Sequence, residues 1–160
     1  MREHRYELEM PHSAERLWAL FQDYDRWSDY APMVIRVEVL HPGDDRGHGL
    51  LRRVVYKMPF GRQGTALELV TDVTEARGYT FTMINRKPGS DQTGKVSLEP
   101  LGPDRCLFRF EERYDLTKPP FKWFEGQIYG FINKQNEASM RRASEWLTEH
   151  PEYRPDLLPA

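Results

Sequence analysis

Cysteine is nearly absent from this sequence, which has Cys106 as its only thiol in 160 residues. One cysteine excludes an internal disulfide framework and a four-cysteine metal site. Low cysteine usage is also typical of proteins in a reducing compartment. We therefore expect Cys106 to pack as a small hydrophobic side chain.

Long apolar runs are absent as well. The first five residues are mostly charged, and no apolar segment of the kind found in signal peptides follows them. No window approaches the roughly 20 consecutive apolar residues that a helix needs to cross a bilayer. The sequence therefore predicts a cytoplasmic protein with no membrane insertion.

An excess of charge of one sign is also lacking. Lys and Arg number 23 against 25 for Asp and Glu, and the isoelectric point is about 6.2. No global positive field therefore exists to bind nucleic acid or an anionic membrane, so we expect no nucleic-acid partner. Aromatic residues make up 12% of a chain that is 30% charged, so we expect them to concentrate in a core or around a cavity.

Motifs that carry covalent, metal or nucleotide chemistry are missing. The sequence has no GxSxG pattern, no HxxxH or HExxH spacing and no GxxxxGK[ST] loop. The five histidines all fall at predicted termini, caps or turns: His4, His12, His41, His48 and His150. We therefore expect neither a metal site nor a cofactor.

Six segments after Pro32 have the composition of β-strands and are separated by short turns that contain Gly or Pro. These segments are residues 33–40, 50–58, 65–73, 79–84, 94–100 and 105–116. A further strand, residues 4–10, precedes two short helical segments. Ser13 is a candidate N-cap for the first helix, and Pro32 ends the second, which begins at Asp25.

The longest helical pattern follows a Pro-Pro pair and covers residues 121–149. Gly126 and Gly130 lie on one face of this helix, where each costs about 1 kcal/mol relative to alanine. Close packing against the sheet would explain them, as would a kink that opens a cavity. The Pro-rich residues 151–160 are expected to form an extended tail over the surface.

The order of elements is one strand, two short helices, six strands and a long helix. This order predicts an α+β fold in which helices cover one face of an antiparallel sheet. The segment SAERLWALFQDYDRWSDYAPMV at residues 13–34 is followed by RVEVL and by a turn that ends in GHG. The residues with characteristic spacing are Trp18, Asp23, Trp27, Pro32 and Gly49.

These residues resemble the helix pair and first hairpin of the START and polyketide cyclase/dehydrase superfamily (SRPBCC), which has the helix-grip fold. The resemblance implies a curved seven-stranded antiparallel sheet around a long C-terminal helix, with two short helices after the first strand. It also implies a single domain over residues 1–150 and an apolar cavity between sheet and helix. Members of the superfamily include lipid carriers, cyclases and hydrolases, so the fold alone does not choose a function.

Loops at one end of the sheet are candidates for the mouth of this cavity. If the odd-numbered strands all point one way, the turns after the first, third, fifth and seventh strands gather at one end. These turns contain His12 and residues 57–63, 85–92 and 117–124. Their large side chains either form the rim of a mouth or plug the end of the core. The side chains concerned are Phe60, Pro88, Pro119, Phe121 and Trp123.

Glu112 interrupts an apolar strand face. Read at every second residue, the last strand contains Phe108, Phe110, Glu112 and Tyr114 on one side. A buried carboxylate without a partner raises its pKa, which is the property that a general acid needs. Glu112 is therefore a ligand-orienting or catalytic group, a structural ion-pair partner, or a residue near the strand end that is open to water.

Two arginines in a predicted strand bear on this question. Arg52 and Arg53 are adjacent, so one of them points inward whichever register holds. An inward arginine could pair with Glu112 across a curled sheet. The segment that begins at residue 79 places Tyr79, Phe81, Met83 and Asn85 on one face. Together these groups would line an aromatic pocket with a polar end.

We expect a domain that binds an apolar or aromatic small molecule, lipid-like or polyketide-like, without a cofactor. The candidate ligand-binding residues are Arg52, Arg53, Tyr56, Tyr79, Phe81, Met83, Phe108, Phe110, Glu112, Tyr114, Phe124, Ile128, Phe131, Ile132 and Gln135. Two alternatives stay open. One is a cyclase or dehydratase that uses Glu112 as its catalytic acid and base, and the other is a protein-interaction module without a small ligand.

Overall fold

The computed structural model describes residues 2–84, 90–116, 119 and 121–153. The strands are β1 (Arg2–Met10), β2 (Val34–His41), β3 (Leu51–Lys57), β4 (Gln63–Thr74), β5 (Gly78–Met83), β6 (Ser90–Gly102) and β7 (Arg105–Leu116). They form one sheet in the order β1-β7-β6-β5-β4-β3-β2, and neighbouring strands are antiparallel. The register shifts between β2 and β3 and between β4 and β5, and such bulges bend a sheet. The predicted α+β fold with a curved seven-stranded antiparallel sheet is confirmed.

Three α-helices complete the fold. They are α1 (Ala14–Gln22), α2 (Trp27–Tyr30) and α3 (Glu125–Glu149). Ser13 caps α1 as predicted, because its side chain accepts a hydrogen bond of 3.2 Å from the backbone N–H of Arg16. The long helix begins four residues later than predicted, since residues Phe121–Phe124 form a 3₁₀ turn. Two short helices after the first strand and a long helix at the end are thus confirmed.

The hydrophobic core fills one end of the space between sheet and helices. Its most deeply buried side chains come from β1, α1, β7 and the second half of α3: Met10, Leu17, Leu20, Cys106, Phe108, Ala143 and Leu147. Cys106 packs there as a small hydrophobic residue, and burial raises the pKa of its thiol to about 11. The first half of α3 contributes much less to the core, which leaves room for a cavity beside it.

The direction of β1 differs from the prediction. Met10 pairs with Cys106 and Arg2 with Tyr114, so β1 is antiparallel to β7. The expectation that the turn after the first strand joins those after the third, fifth and seventh was therefore wrong. In a meander each strand runs opposite to the strand before it, because the two pair. β1 pairs with β7 and not with β2, so this rule does not determine its direction. His12 consequently lies at the opposite end of the sheet.

That opposite end is closed by hydrogen bonds to the end of α3. His12 is buried, with its Nε2 at 2.8 Å from the carbonyl oxygen of Ser144. Arg16 donates from Nη2 to the carbonyl oxygens of Leu147 and His150, at 2.7 and 2.6 Å. The Nε of Arg16 also donates to the carbonyl oxygen of Tyr153 at 3.0 Å. The bond to Leu147 satisfies a carbonyl group in the last turn of α3, which the end of a helix leaves without a partner.

The C-terminal tail and the helix glycines can be compared with the predictions in part. Tyr153 packs its ring edge-on against Trp146, and residues 154–160 lie outside the described residues. A Cβ at Gly126 would lie 3.6 Å from the Arg2 guanidinium, and one at Gly130 would meet nothing within 4 Å. Close packing of these glycines against the sheet was therefore the wrong explanation.

Candidate ligand-binding cavity

A cavity of about 340 Å³ lies between the inner face of the sheet, α2 and the middle of α3. Pockets for small ligands commonly measure about 300–1,000 Å³ and are mostly apolar. Aromatic and aliphatic side chains form most of this wall: Phe21, Trp27, Tyr30, Ala31, Met33, Val34, Val54, Ala66, Phe81, Val96, Phe108, Phe110 and Met140. The expectation of space between sheet and long helix therefore agrees with the structure.

Two glycines in the sheet keep this space open. Gly64 lies opposite Tyr56 on β3, and Gly94 lies opposite Phe81 on β5. A Cβ at either glycine would overlap the ring that faces it. The two rings therefore lie flat against the neighbouring strand, instead of standing upright in the cavity.

Arg52 is the charged group at the deep end of the cavity. It lies near the start of β3, and only 2% of its surface is exposed. Its Nε and Nη2 atoms both lie 2.8 Å from Oε2 of Glu68, the residue directly opposite on β4. Burial lowers the pKa of Arg52, but the Glu68 carboxylate together with Tyr79 and Tyr24 more than offsets this effect, so the pKa is raised and the guanidinium stays charged.

Aromatic rings surround the Arg52 guanidinium. Its central carbon lies 4.5 Å from the ring centroid of Trp27 and 5.5 and 5.4 Å from those of Tyr24 and Tyr79. Such contacts are favourable when the cation is desolvated. Nη1 is buried and has no hydrogen-bond partner among the described residues. A buried donor without a partner is costly, and an oxygen of a bound molecule that reached this atom would remove that cost.

The predicted pairing of an arginine with Glu112 was wrong. Arg53 points to the outer face of the sheet, where its Nη1 donates to Oε2 of Glu38 at 2.8 Å. Arg52 points inward but pairs with Glu68. The cause is register: Arg52 and Glu68 are direct neighbours across the strands, and so are Arg53 and Glu38.

Glu112 is buried on the inner face of β7, as the alternation predicted. Only 4% of its surface is exposed, so the alternative of an open strand end was wrong. It accepts a short hydrogen bond from Nε2 of Gln92. Burial raises its pKa to about 7, an effect that the hydrogen bond from Gln92 only partly opposes. Gln92 lines the cavity, whereas Glu112 does not.

The structure brings together most of the residues predicted to bind a ligand. Those that line the cavity are Arg52, Tyr56, Tyr79, Phe81, Met83, Phe108, Phe110, Phe131, Ile132 and Gln135. Those that do not are Arg53, Glu112, Tyr114, Phe124 and Ile128. Tyr114 is instead covered by the ring of Tyr129, with the two centroids 3.5 Å apart. Phe124 precedes α3 and is more than half exposed.

Several cavity residues were missed by the sequence reasoning. The most informative is Glu68, because Ala66, Glu68 and Val70 alternate along β4 and share the inner face. Inspection of every second residue, which identified Glu112 on β7, would also have identified Glu68 on β4. Trp27 and Tyr30 were harder to find, since a helix of one turn has too few positions for a periodic pattern.

The cavity opens at the end of the sheet where β3, β5 and β7 end. Phe131 and Ile132 of α3 line it and yet are 54% and 40% exposed. Phe60 is fully exposed and Trp123 is 74% exposed, so the alternative that these aromatic residues plug the core was wrong. Asn85, Pro88 and the side chain of Phe121 lie outside the described residues.

Within the described residues, no three His, Cys, Asp or Glu side chains are grouped so that they could hold a metal ion. No helix in that part of the chain is long and apolar enough to span a bilayer.

Comparisons with known proteins agree with this architecture. The family described as polyketide cyclase / dehydrase and lipid transport has a sequence model that matches residues 1–150. The chain belongs to this family. The resemblance that residues 13–34 indicated is thereby confirmed. No curated protein matches the chain.

Solved structures share the fold of this family member at low sequence identity. A START superfamily protein from Mycobacterium smegmatis aligns with a TM-score of 0.74 and 18% identity, over 91% of this chain and 98% of that one. The Zhui aromatase/cyclase from Streptomyces sp. R1128 aligns at 0.76 and 14%, over 93% and 94%. A conserved protein from Geobacillus kaustophilus aligns at 0.75 and 12%, over 93% and 97%. At such identities these similarities establish the fold alone.

Proposed function

We propose that the protein binds an apolar small molecule, lipid-like or polyketide-like, in the cavity between the sheet and α3. The observation that carries this proposal is an aromatic-walled cavity of about 340 Å³ with one unpartnered donor, Nη1 of Arg52, buried at its deep end. The walls supply affinity, at roughly 25 cal/mol per Å² of apolar surface removed from water. Arg52 supplies orientation, because a precisely placed polar group fixes how a ligand sits.

The electrostatics of the deep end favour a neutral oxygen on the ligand. Glu68 already balances the charge of Arg52, through two contacts of 2.8 Å. A ligand carboxylate would therefore add an uncompensated negative charge to a buried site, which is costly. A hydroxyl or carbonyl oxygen can accept from Nη1 without that cost.

A second candidate function is favoured by Glu112. A carboxyl group with a pKa of about 7 can donate and accept protons at neutral pH, as a cyclase or dehydratase requires. Gln92 donates to Oε1 of Glu112, one of its two oxygens, and is the residue of this pair that lines the cavity. Glu112 does not itself line the cavity, so a catalytic role requires a rearrangement that brings it into contact with substrate, and binding without catalysis is the simpler proposal.

Native mass spectrometry of gently purified protein tests the proposal. The wild type should retain a small molecule, and Ala66→Phe should not, because Ala66 is buried in the cavity wall. Ala138→Phe is the matched control, since Ala138 is exposed on α3 and the added ring does not enter the cavity. A wild type that retains nothing and binds no apolar compound would favour a protein-interaction module instead.

Glu112→Gln separates binding from catalysis once a ligand is identified. Unchanged affinity with lost turnover would show that Glu112 is a catalytic acid. Weaker affinity in a protein that never turned the molecule over would show that Glu112 helps to orient the ligand. If neither quantity changes, Glu112 has only a structural role.

A further inference from the structure

Two side-chain amides form a second polar region in the cavity wall. Gln92 on β6 and Asn136 on α3 both line the cavity. Arg52 lies on β3, three strands away from Gln92 in the sheet. At about 4.8 Å per strand, these two strands are roughly 14 Å apart along the sheet. A bound molecule that reached both Arg52 and Gln92 would therefore carry polar groups at opposite ends of an apolar body.

The amide of Gln92 is held from behind by Glu112. Nε2 of Gln92 donates a short hydrogen bond to Oε1 of Glu112, which is buried on β7 and does not line the cavity. The two polar atoms of an amide point apart, so Oε1 of Gln92 is the atom left for the cavity. Gln92 therefore presents a hydrogen-bond acceptor to a ligand.

The amide of Asn136 is held in the opposite sense. The hydroxyl of Tyr6 on β1 donates a short hydrogen bond to Oδ1 of Asn136, so Nδ2 is the atom left for the cavity. Burial and the nearby carboxylates of Glu137 and Glu112 raise the pKa of Tyr6, so Tyr6 and Glu112 lie on the same side of the cavity. This side thus offers a ligand one acceptor and one donor.

We propose that Gln92 and Asn136 select an apolar ligand that carries a hydroxyl group, with Glu112 as the positioning residue for Gln92. A hydroxyl group both donates and accepts, so it fits Oε1 of Gln92 and Nδ2 of Asn136 together. An ether or ketone oxygen only accepts and would leave Oε1 of Gln92 without a partner, which is costly once the ligand has displaced water. This inference rests on the proposed function, because it concerns the ligand of the same cavity.

The protonation of Glu112 determines whether Gln92 is fixed in this orientation. An ionised carboxylate only accepts hydrogen bonds, so it binds the nitrogen of Gln92 and keeps the oxygen toward the cavity. A protonated carboxyl also donates, so the amide can turn and present its nitrogen instead. Burial and the nearby Glu68 carboxylate raise the pKa of Glu112 to about 7. The preference for a hydroxyl group should therefore be stronger above pH 7 than below it.

Other ionisable groups surround Glu112 from β1, β4, β7 and α3. They are His4, Tyr6, Glu68, Tyr114, Tyr129 and Glu137. Asp115, Glu125 and Arg141 act in turn on Tyr129 and Tyr6. His4 lies directly opposite Glu112 on β1, with its Nε2 3.3 Å from Oε1 of Glu137. Since histidine side chains generally titrate near neutral pH, a test that uses pH needs a control at His4.

Calorimetric titration of the full-length protein with two naphthalene compounds tests the inference. 2,6-Dihydroxynaphthalene and 2,6-dimethoxynaphthalene can both accept from Arg52, but only the first can donate to Gln92. The ratio of their affinities for the wild type should favour the dihydroxy compound about fivefold more at pH 8 than at pH 6. This measurement needs no variant, so it stays decisive even if a variant folds poorly.

Three variants and a matched control locate the preference. Gln92→Met removes the acceptor and should lower the affinity ratio about fivefold at pH 8. Gln63→Met is the control and should leave the ratio unchanged, since Gln63 is exposed at the start of β4 and does not line the cavity. Glu112→Gln does not titrate, so its ratio should be the same at pH 6 and pH 8. His4→Gln should keep the pH dependence of the wild type.

The inference is overturned if the wild-type ratio is the same at both pH values or if Gln92→Met keeps the wild-type ratio. It is also overturned if His4→Gln abolishes the pH dependence while Glu112→Gln keeps it. In each of these cases the two compounds still bind, so the proposed function stands. If neither compound binds, this inference fails, and retention of a small molecule in native mass spectrometry decides separately on the proposed function.

Discussion

Arg52 and Glu68 lie directly opposite each other on β3 and β4, with Nη2 of the arginine 2.8 Å from Oε2 of the glutamate, inside a cavity with mainly apolar walls. A buried ion pair is often no more stabilising than well-packed apolar residues in its place. The presence of this ion pair at the deep end of a cavity is therefore better explained by a role in ligand binding than by a contribution to folding stability. The pair holds the guanidinium still and charged in the cavity wall, where its Nη1 is buried without a partner among the described residues.

Removal of one member of this pair should destabilise the protein. Arg52→Met leaves the Glu68 carboxylate without its partner in a buried site, so we expect a loss of about 3–5 kcal/mol in the free energy of unfolding. Arg52→Met combined with Glu68→Met should recover most of that loss. Urea denaturation measures both effects, and a double variant as unstable as the single one would show that the pair is needed for the fold.

The protonation of Glu112 should make stability depend on pH. Its pKa is raised by burial from the ordinary glutamate value of 4.5 to about 7 in the fold, so the folded protein holds a proton that the unfolded chain releases. The free energy of unfolding should therefore fall as pH rises between those values, by at most about 1.4 kcal/mol per pH unit. Above pH 7 the loss is complete.

Glu112→Gln isolates this effect, because glutamine keeps the shape and does not titrate. In thermal or urea denaturation, the advantage of the wild type over the variant should shrink steadily from acid to neutral pH. A constant difference between the two proteins over that range would contradict the raised pKa of Glu112.

Gly94→Ala should reduce the cavity and weaken ligand binding. The added methyl group would overlap the Phe81 ring and push it into the open space, at a cost of about 1–3 kcal/mol in stability. Gly102→Ala, also in β6, is the control, since nothing lies within 4 Å of a Cβ built there. Calorimetric titration with an apolar compound that binds the wild type compares the two variants. Equal affinities of Gly94→Ala and Gly102→Ala would show that Phe81 does not border the bound ligand.

Arg16→Met should destabilise the closed end without changing ligand affinity. Arg16 donates to the carbonyl oxygens of Leu147, His150 and Tyr153, far from the cavity mouth. We expect a loss of about 2–4 kcal/mol, since hydrogen bonds from a charged group contribute more than neutral ones. A large loss of ligand affinity in this variant would mean that the end of α3 controls the shape of the cavity.

Local periodicity predicted much of the fold. Alternation along β7 correctly placed Phe108, Phe110, Glu112 and Tyr114 on the inner face, because side chains alternate on every strand whatever its neighbours are. The helix N-cap at Ser13 could also be predicted, since it depends on two residues that are only three positions apart.

The pairing of strands that are distant in sequence could not be predicted in this way. The sequence could not decide between Arg52 and Arg53, because a shift of one residue exchanges the two faces of a strand. It also could not show that Glu68, sixteen residues away, takes the place expected for Glu112. The direction of β1 depends on pairing with β7 at the far end of the chain. Each of these features is set by which strands pair and in which register, and a single sequence does not encode either locally.

We propose that an oxygen of the bound ligand accepts a hydrogen bond from Nη1 of Arg52 inside the cavity. The most direct test is the side-chain nitrogen–proton NMR spectrum of the arginines, recorded with and without naphthol, an apolar compound with one hydroxyl group. We predict that the Arg52 signals shift and exchange more slowly with solvent when naphthol is added, while those of Arg53 on the outer face stay unchanged. If saturating naphthol binds the protein but leaves the Arg52 signals in place, the ligand oxygen does not meet Arg52 and the proposed contact is wrong.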